Sequence, residues 1–388
     1  MCKNKTELEK PFEYLKRKNG EAFSSETVTN WYKSRAYVLD KLNHVALAPD
    51  DDKPLQVVIV GDSPLMLSVV RQVALSAHYA NYEEHDMHGL LTCKNQTVIT
   101  LVSQNEKIVD ELKKEEYLCN LPDYCKCSVF GKEENADSYI DIKLQIVKEP
   151  IEDKGVMVYM TDEEAKRFVS ARNDKDIYEI DTRNAVYASR MYDLGDDIGN
   201  LPAENIHDAK RYRQALSRFQ HVQMRKGITP LVDKEKWEGN LNKVKKGLSN
   251  LFCSDCFLSR RNSIKAYWEK ELIKKKEDRD KKLKQEDDVW EKYNKALSQS
   301  EHERWVVEKL VLGYRPLNDE ERYQYENLFG ESRKAYCKEL KNNASDPVHI
   351  DLCSYHDLRR INPDDLKYDS FLMLAIPAIL NKTKNSKS

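Results

Sequence analysis

The segment from Ser300 to Leu317, SEHERWVVEKLVLGYRPL, combines a tryptophan with several cationic side chains. On a helix, His302, Trp305 and Lys309 would share one face, because residues three and four apart are neighbours. A tryptophan ring edged by cations can stack on a nucleobase while a cation neutralises the phosphate. The alternative is a core tryptophan whose polar neighbours extend their charged ends to the surface. The spacing alone leaves both interpretations open.

The residues of this segment and of a later one resemble the Ryr domain, a small repeat named after the ryanodine receptors. The family pattern is an EH-x-RW helix, then K-x-x-x-G with a following aromatic residue, a histidine and a PY-x-x-L-like segment. The corresponding residues here are His302, Arg304, Trp305, Lys309, Gly313, Tyr314, His349 and 352–358. Two positions depart from it, since Ser354 precedes Tyr355 where proline is usual and Ile350 follows His349 where the pattern has proline.

This resemblance implies a ligand-binding function rather than a catalytic activity. Ryr domains of bacterial proteins are commonly proposed to recognise nucleotide-derived signals in defence against phage. We assign this ligand-binding role only to the residues that match the family pattern, which are His302, Arg304, Trp305, Lys309, Tyr314 and Tyr355. The position of Arg315 just before Pro316 adds a second cation that could meet the phosphate of a base stacked on Trp305.

A second candidate site follows the first apolar strand, in VVIVGDSPLMLSVV. The helix start after Gly61, Asp62 and Ser63, with Ser103 at the end of a neighbouring strand, could attract an anion. A dinucleotide site needs three glycines and an acidic residue after the second strand. Ser63 and Met66 stand at two of the glycine positions, and no acid follows TVITLV. We therefore predict no tight binding of NAD(P).

Strand and helix patterns alternate through this part of the chain. Short runs rich in β-branched residues predict strands at 55–60, 97–102, 140–147 and 156–160, with helices over 65–77 and 162–169 and another, polar helix through 109–117. Such alternation predicts an α/β fold with a Rossmann-like doubly wound parallel sheet. Residues 55–180 also resemble the TrkA N-terminal domain of potassium-transport regulators, and bacterial chains join that domain to a Ryr domain.

The remaining patterns are helical and divide the chain into five predicted regions. Four stretches, 184–194, 207–219, 234–251 and 261–272, have helical apolar spacing, and 274–288 is almost entirely charged with both signs mixed. The regions are an N-terminal helical arm (1–54), a Rossmann or TrkA-N-like domain (55–182), a helical region (183–298), a mostly α Ryr-like domain (299–380) and a disordered tail (381–388).

Composition limits the partners and the compartment. With Lys+Arg 64 against Asp+Glu 66, the net charge of -2 provides no general attraction to nucleic acid. We found no apolar stretch of about 20 residues and no signal-peptide pattern, which predicts a soluble protein without direct membrane insertion. The nine cysteines are irregularly spaced, so we expect reduced thiols in the cytoplasm and no zinc at Cys253 and Cys256.

Three functional hypotheses follow. The first is a cytoplasmic sensor of a nucleotide-type small molecule, with a homo-oligomer or an effector protein as its partner. The second is an enzyme that acts on a nucleotide in the crevice of the sheet, although the sequence contains no Walker A loop, no GxSxG and no HExxH motif. The third is a structural adaptor that uses its charged helices. No cofactor and no metal are predicted.

Overall fold

A computed structural model describes residues 25–87, 90–135, 138–150, 155–173, 244–274, 289–290, 292–343 and 345–385. Several predictions lie outside these residues: the arm before residue 25, the helical patterns at 184–194 and 207–219, and the charged stretch after residue 274. Everything below refers to the described residues.

A six-stranded, mostly parallel sheet forms the centre of the N-terminal half. Its strand order is β6-β5-β7-β4-β1-β8, in which only β6 is antiparallel to its neighbour. A separate antiparallel pair joins β2 and β3. The strands are β1 (Leu55–Val60), β2 (Glu83–Met87), β3 (Leu90–Lys94), β4 (Thr97–Val102), β5 (Lys126–Val129), β6 (Lys132–Glu134), β7 (Ile142–Val147) and β8 (Val156–Thr161). The predicted α/β fold class is confirmed.

The two most apolar runs of the sequence form the middle of this sheet. LQVVIV and TVITLV become β1 and β4 with the predicted bounds, and five residues of each are buried. Parallel strands covered on both faces favour such uninterrupted apolar runs. In the register of the sheet, Val57 lies between Ile99 and Val158.

Helices precede, connect and follow the strands. In the N-terminal half they are α1 (Ser25–Leu42), α2 (Pro64–Ser76), α3 (Ile108–Leu112), α4 (Leu121–Tyr124) and α5 (Asp162–Ser170). The polar helix predicted through Tyr117 therefore ends earlier, at Leu112. Helix α2 begins directly after β1, where the hydroxyl of Ser63 caps it and Pro64 occupies the first turn.

The C-terminal half is helical. Its helices are α6 (Val244–Asp255), α7 (Phe257–Lys274), α8 (Asn294–Val311), α9 (Asp319–Asn327), α10 (Gly330–Asn342), α11 (Tyr355–Ile361) and α12 (Leu366–Asn385), with a short 3₁₀ turn at Pro363–Asp365. Helix α12 extends to Asn385, into the segment predicted as a disordered tail. No helix among the described residues has the length and apolar character needed to cross a membrane.

Helix α8 packs into the same hydrophobic core as the sheet. One cluster of buried side chains contains Val57 and Ile59 of β1 together with Val306, Val307 and Leu310 of α8. The helix also contacts α2, α4, α6, α11 and α12. The segments that the sequence assigns to separate domains therefore share one core.

The cysteine pair near residue 255 spans the junction of α6 and α7. Cys253 and Cys256 are both buried, and the Cys256 thiol lies 3.6 Å from the carbonyl oxygen of Ser76 in α2. Burial raises the pKa of the Cys256 thiol to about 12 and that of Cys253 well above its usual range. Burial thus favours the protonated form of both thiols. In the described part of the chain no group of His, Cys, Asp and Glu is arranged to hold a metal ion, and the absence of zinc at this pair stays a prediction.

Candidate functional site

Trp305 is the point at which a buried helix reaches solvent. Every residue of 297–311 is buried except Trp305, which is half-buried. A helix surrounded on all sides can expose one side chain only where the layer that covers it is interrupted. We call the surroundings of Trp305 the Trp305 recess, and they contain the side chains that the sequence places on one face.

Three neighbouring groups define the surroundings of the indole. His302, one turn earlier, is stacked toward it, with ring centroids 6.3 Å apart and an interplanar angle of 25°. The ammonium of Lys309, one turn later, lies 5.4 Å from the ring centroid, a cation–π arrangement. The imidazole of His349 meets the indole edge-on, with centroids 4.8 Å apart. The predicted helical face is therefore present, and His349 completes it.

The end of α8 fixes the positions of Lys309 and Tyr314. Gly313 has a φ of 81°, and its N–H donates to the carbonyl of Leu310. The N–H of Tyr314 donates to the carbonyl of Lys309 over 2.9 Å. These two bonds form a Schellman motif, which needs a residue that tolerates positive φ at the position of Gly313. The K-x-x-x-G-aromatic spacing is thus explained by how the helix terminates.

A backbone bridge brings His349 to the recess. Arg315 and Val348 form an isolated parallel bridge, in which the Arg315 N–H donates to Pro347 and the His349 N–H donates to Arg315. His349 was part of the Ryr resemblance but was not assigned to the site. Its sequence distance from Trp305 gives no spacing signal, because only this bridge places it there.

His302 and Tyr355 form the buried wall behind Trp305. The Nε2 of His302 donates to the carbonyl oxygen of Cys353 over 2.8 Å, and the Tyr355 ring lies 5.7 Å from the imidazole. Both residues are only 2% exposed. Burial lowers the pKa of His302 to about 4, so the imidazole is neutral at neutral pH.

Arg304 does not reach the recess. Its side chain is fully buried on another side of α8 and contacts the carboxylates of Glu301 and Glu308, with an Nη1–Oε2 distance of 2.7 Å to Glu308. Arg260 of α7 adds a second guanidinium 2.7 Å from Glu301. Burial alone would raise the pKa of Glu301, but Arg304 and Arg260 lower it to about 2. Arg304 therefore belongs to a buried ion network.

The other two predicted cations are also paired. The Lys309 ammonium lies 2.5 Å from the carboxylate of Glu308, which thus bridges Lys309 and Arg304. Arg315 donates from Nη1 and Nη2 to both oxygens of Glu321, over 2.7 and 2.8 Å, and from Nε to Asp346. Hydrogen bonds to Glu321 and then Asp346 raise the pKa of Arg315 above its usual range.

An acidic pair lies beside His349. The Nδ1 of His349 is 3.6 Å from the carboxylate of Asp351, which also accepts a hydrogen bond from Asn362 over 3.0 Å. Asn362 donates to Asp365 as well, over 2.9 Å. Burial, followed by the charge of Asp365, raises the pKa of Asp351 to about 7. Asp351 and Asp365 are thus acidic neighbours of His349, which itself contacts Trp305.

The second candidate site is assembled at the carboxyl end of the sheet. Gly61 has a φ of 121°, and the chain turns there from β1 into α2. The Ser103 hydroxyl donates to Asp62 over 3.1 Å, and the Ser63 hydroxyl donates to Asp162 over 2.9 Å. The structure thus brings the four predicted residues together. It also places two carboxylates at the helix start, and they compete with an anion there.

We compared the chain with protein-family models, with curated proteins and with solved structures, and found no match. The resemblance to Ryr and TrkA-N domains thus stays a prediction from the residues named above.

Proposed function

We propose that this chain is a binding protein for a nucleotide-type small molecule, whose base is stacked against Trp305. The proposal rests on the one opening in the buried part of α8, residues 297–311, where an indole, an imidazole and an ammonium meet. An aromatic ring of this kind can stack on any nucleobase, because every base has a π-face. His302 and Tyr355 support the ring from behind, and Tyr314 lies 6.3 Å from His349.

The ion pairs buried along α8 are better explained by a binding site than by their contribution to stability. Glu301, Arg304, Glu308 and Lys309 form ion pairs and are all buried in one helix. Buried ion pairs are weak sources of stability, and well-packed apolar residues often replace them without loss. Such a concentration of charge is more typical of a site that must hold its side chains in a fixed geometry.

The finer assignments belong to the same proposal. The parallel sheet and the β1–Gly61–α2 turn support a Rossmann-like, TrkA-N-type interpretation of residues 55–182, and the Trp305 recess supports a Ryr-like one of 299–380. On the basis of the resemblance, we also propose that the chain is a cytoplasmic sensor in defence against phage. It would act on a partner protein or on a second copy of itself. NAD(P) is not among the ligands we propose, because Met66 and Ser63 occupy glycine positions.

An enzyme is the second candidate, and the sheet edge favours it. There the hydroxyls of Ser63 and Ser103 are hydrogen-bonded to carboxylates, an arrangement in which a base faces a hydroxyl. If the crevice turned over a nucleotide, a product would accompany the purified protein and Asp62→Asn would remove it. If the recess binds, an intact ligand would be retained and Asp62→Asn would leave it in place.

Mass spectrometry of what the native full-length chain retains, followed by titration, tests the proposal. The probes are adenosine, guanosine, cytidine and uridine with their 5′-mono- and triphosphates, measured by calorimetry. We expect Trp305→Ala to lower the affinity for the tightest-binding probe about 10-fold or more, since base–aromatic stacking is worth about 1–3 kcal/mol. Trp268→Ala is the matched control, because Trp268 is a half-buried indole of α7 in another cluster. Equal losses in both variants, or no binding by any probe, would exclude the proposal.

A further inference from the structure

The three cations that the sequence analysis assigned to a phosphate are all engaged with carboxylates. Arg304 is held by Glu301 and Glu308, and Lys309 is held by Glu308. Arg315 is held by Glu321 and Asp346. A phosphate would have to displace carboxylates at each of these positions.

Displacement is unfavourable at Lys309, because Glu308 is completely buried. Burial alone would raise the pKa of Glu308, but Lys309 and Arg304 lower it, so the carboxylate is charged and depends on both partners. Moving Lys309 toward a ligand would leave a buried carboxylate with only Arg304. Breaking a buried ion pair is costly, since the remaining charge is no longer compensated.

Arg315 is held in place for a structural reason. Glu321, its bidentate partner, also accepts the backbone N–H of Asn318 over 3.0 Å and so completes the capping box of α9. Asp346 connects the same guanidinium to the segment that carries His349. Arg315 thus fixes the start of α9 and the His349 bridge together, and its five N–H donors already face two carboxylates and the Pro316 carbonyl.

One more cation of the described residues lies beside the recess: the exposed ammonium of Lys341 is 3.1 Å from Nε2 of His349, and its charge acts on Asp351. The acidic side chains around the recess still outnumber its cations. Two carboxylates surround Arg315, one faces Lys309, and Asp351 with Asp365 lies next to His349. Within the described part of the chain, what remains for a ligand is the indole of Trp305 and the imidazole of His349, with the ammonium of Lys341 engaged at the edge of that imidazole. These groups recognise a planar heterocycle, whereas a polyphosphate would meet carboxylates.

We infer that the Trp305 recess recognises a nucleoside, through its base, and forms no ion pair with a phosphate. This inference rests on the proposed function and narrows its ligand class. It makes the affinity independent of phosphate number and nearly independent of salt, because few charges are neutralised on binding. A phosphate on the ligand is tolerated only where it points into solvent.

Calorimetric titration of the full-length chain with each nucleoside and its 5′-triphosphate, at low and at high salt, tests the inference. We expect at least one nucleoside to bind within about threefold of its triphosphate, or more tightly, at both salt concentrations. A triphosphate that binds about 10-fold more tightly than its nucleoside, with an affinity that falls as salt rises, would overturn the inference. If that binding were lost in Trp305→Ala, the proposed function would stand, whereas an absence of binding by every probe would overturn both.

A surface variant provides a second measurement that does not threaten folding. Asp346→Asn removes one of the two carboxylates on Arg315, and the Asp346 side chain is half exposed. We expect the affinity for the triphosphate to rise relative to that for the nucleoside by about two- to fivefold, the range of an exposed ion pair. Glu320→Gln is the matched control, since Glu320 is an exposed acid in the first turn of α9, next to Glu321 in the sequence. An equal effect of Asp346→Asn on nucleoside and triphosphate would contradict the inference.

Discussion

The imidazole of His302 donates its Nε2 hydrogen to the carbonyl oxygen of Cys353 over 2.8 Å, and both residues are buried. A carbonyl oxygen can only accept, so Nε2 carries the hydrogen and the neutral imidazole keeps Nδ1 as an acceptor. This bond connects the middle of α8 to the segment before α11. Protonation at Nδ1 would keep this bond and would place a positive charge in the buried interior, which burial disfavours.

The first prediction concerns the acid sensitivity that the buried imidazole of His302 gives to the fold. The pKa of His302 is 6.5 in the unfolded chain and about 4 in the fold, because of burial. The unfolded state therefore binds more protons between these values, so this contribution to stability is complete above pH 6.5 and is lost as pH falls toward 4. A shift of this size corresponds to about 3 kcal/mol at most.

We expect His302→Gln, which can still donate to Cys353, to flatten the pH dependence of urea unfolding between pH 4.5 and 7. His356→Gln, at an exposed position, is the control, and identical slopes for wild type and His302→Gln would refute the assignment.

The second prediction concerns the buried network of Glu301, Arg260 and Arg304. Removing one member of such a network leaves an uncompensated buried charge, which costs about 3–5 kcal/mol. We expect Glu301→Ala to lose that amount of unfolding free energy at pH 7. Lys265→Ala removes the exposed pair of Lys265 with Glu269 in α7 and should cost less than about 0.5 kcal/mol. Chemical denaturation of both variants measures the difference, and similar losses would show that the buried pairs contribute no more than a surface pair.

The third prediction concerns Glu303, whose pKa is raised well above its usual range by burial and by the nearby carboxylates of Glu84 and Asp141. Glu84 accepts the backbone N–H groups of Tyr355 and His356, so it is held against α11. Because the folded state retains the Glu303 proton, stability is greatest below the unfolded pKa and decreases as pH rises. We expect Glu303→Gln to stabilise the chain at pH 8 by about 1–3 kcal/mol, the cost of an unsatisfied buried group, and to change little at pH 4.5. Destabilisation at pH 8 would mean that the carboxylate is charged and paired in the fold.

The sequence was sufficient to predict the centre of the fold and less so its edges. The strands β1 and β4 matched their predicted bounds because continuous β-branched runs have few alternatives. The pairs β2–β3 and β5–β6 were not predicted. Segments such as EEHDM and KEE are polar and short, and pairing with a neighbour, rather than propensity, makes them strands.

The candidate site shows the same division between local and distant information. Helical spacing was enough to place His302, Trp305 and Lys309 together. The same spacing contains Glu301 and Glu308 at three and four residues from Arg304, so its pairing within α8 could have been predicted. The pairing of Arg315 with Asp346 could not, because it depends on a backbone bridge between segments about thirty residues apart.

The fourth prediction is that NAD(P) does not bind tightly at the sheet edge. The open side of Gly61 faces Met66 and Asp162, since a Cβ built there would lie in van der Waals contact with them at 3.5 and 3.6 Å. The carboxylates of Asp62 and Asp162 would also repel the pyrophosphate at the start of α2. Calorimetry with NAD⁺ and NADP⁺ should give no affinity in the micromolar range. Micromolar binding that is lost in Ser63→Trp would contradict this expectation.

The last prediction separates a recess tryptophan from a core tryptophan by stability. Trp290 is 1% exposed and packs in a second hydrophobic cluster, so Trp290→Ala should leave a cavity that costs about 3–5 kcal/mol. Trp305 already faces solvent on one side, and water can fill the space that its removal creates. We therefore expect Trp305→Ala to cost only about 1–2 kcal/mol, which is less than a full core truncation. Trp305→Phe should be milder still, because the smaller ring keeps a π-face beside His302 and Lys309. Urea denaturation of the three variants at pH 7 gives the comparison. If Trp305→Ala unfolded as readily as Trp290→Ala, the indole would be a packing residue, and a ligand would have no ring to stack on.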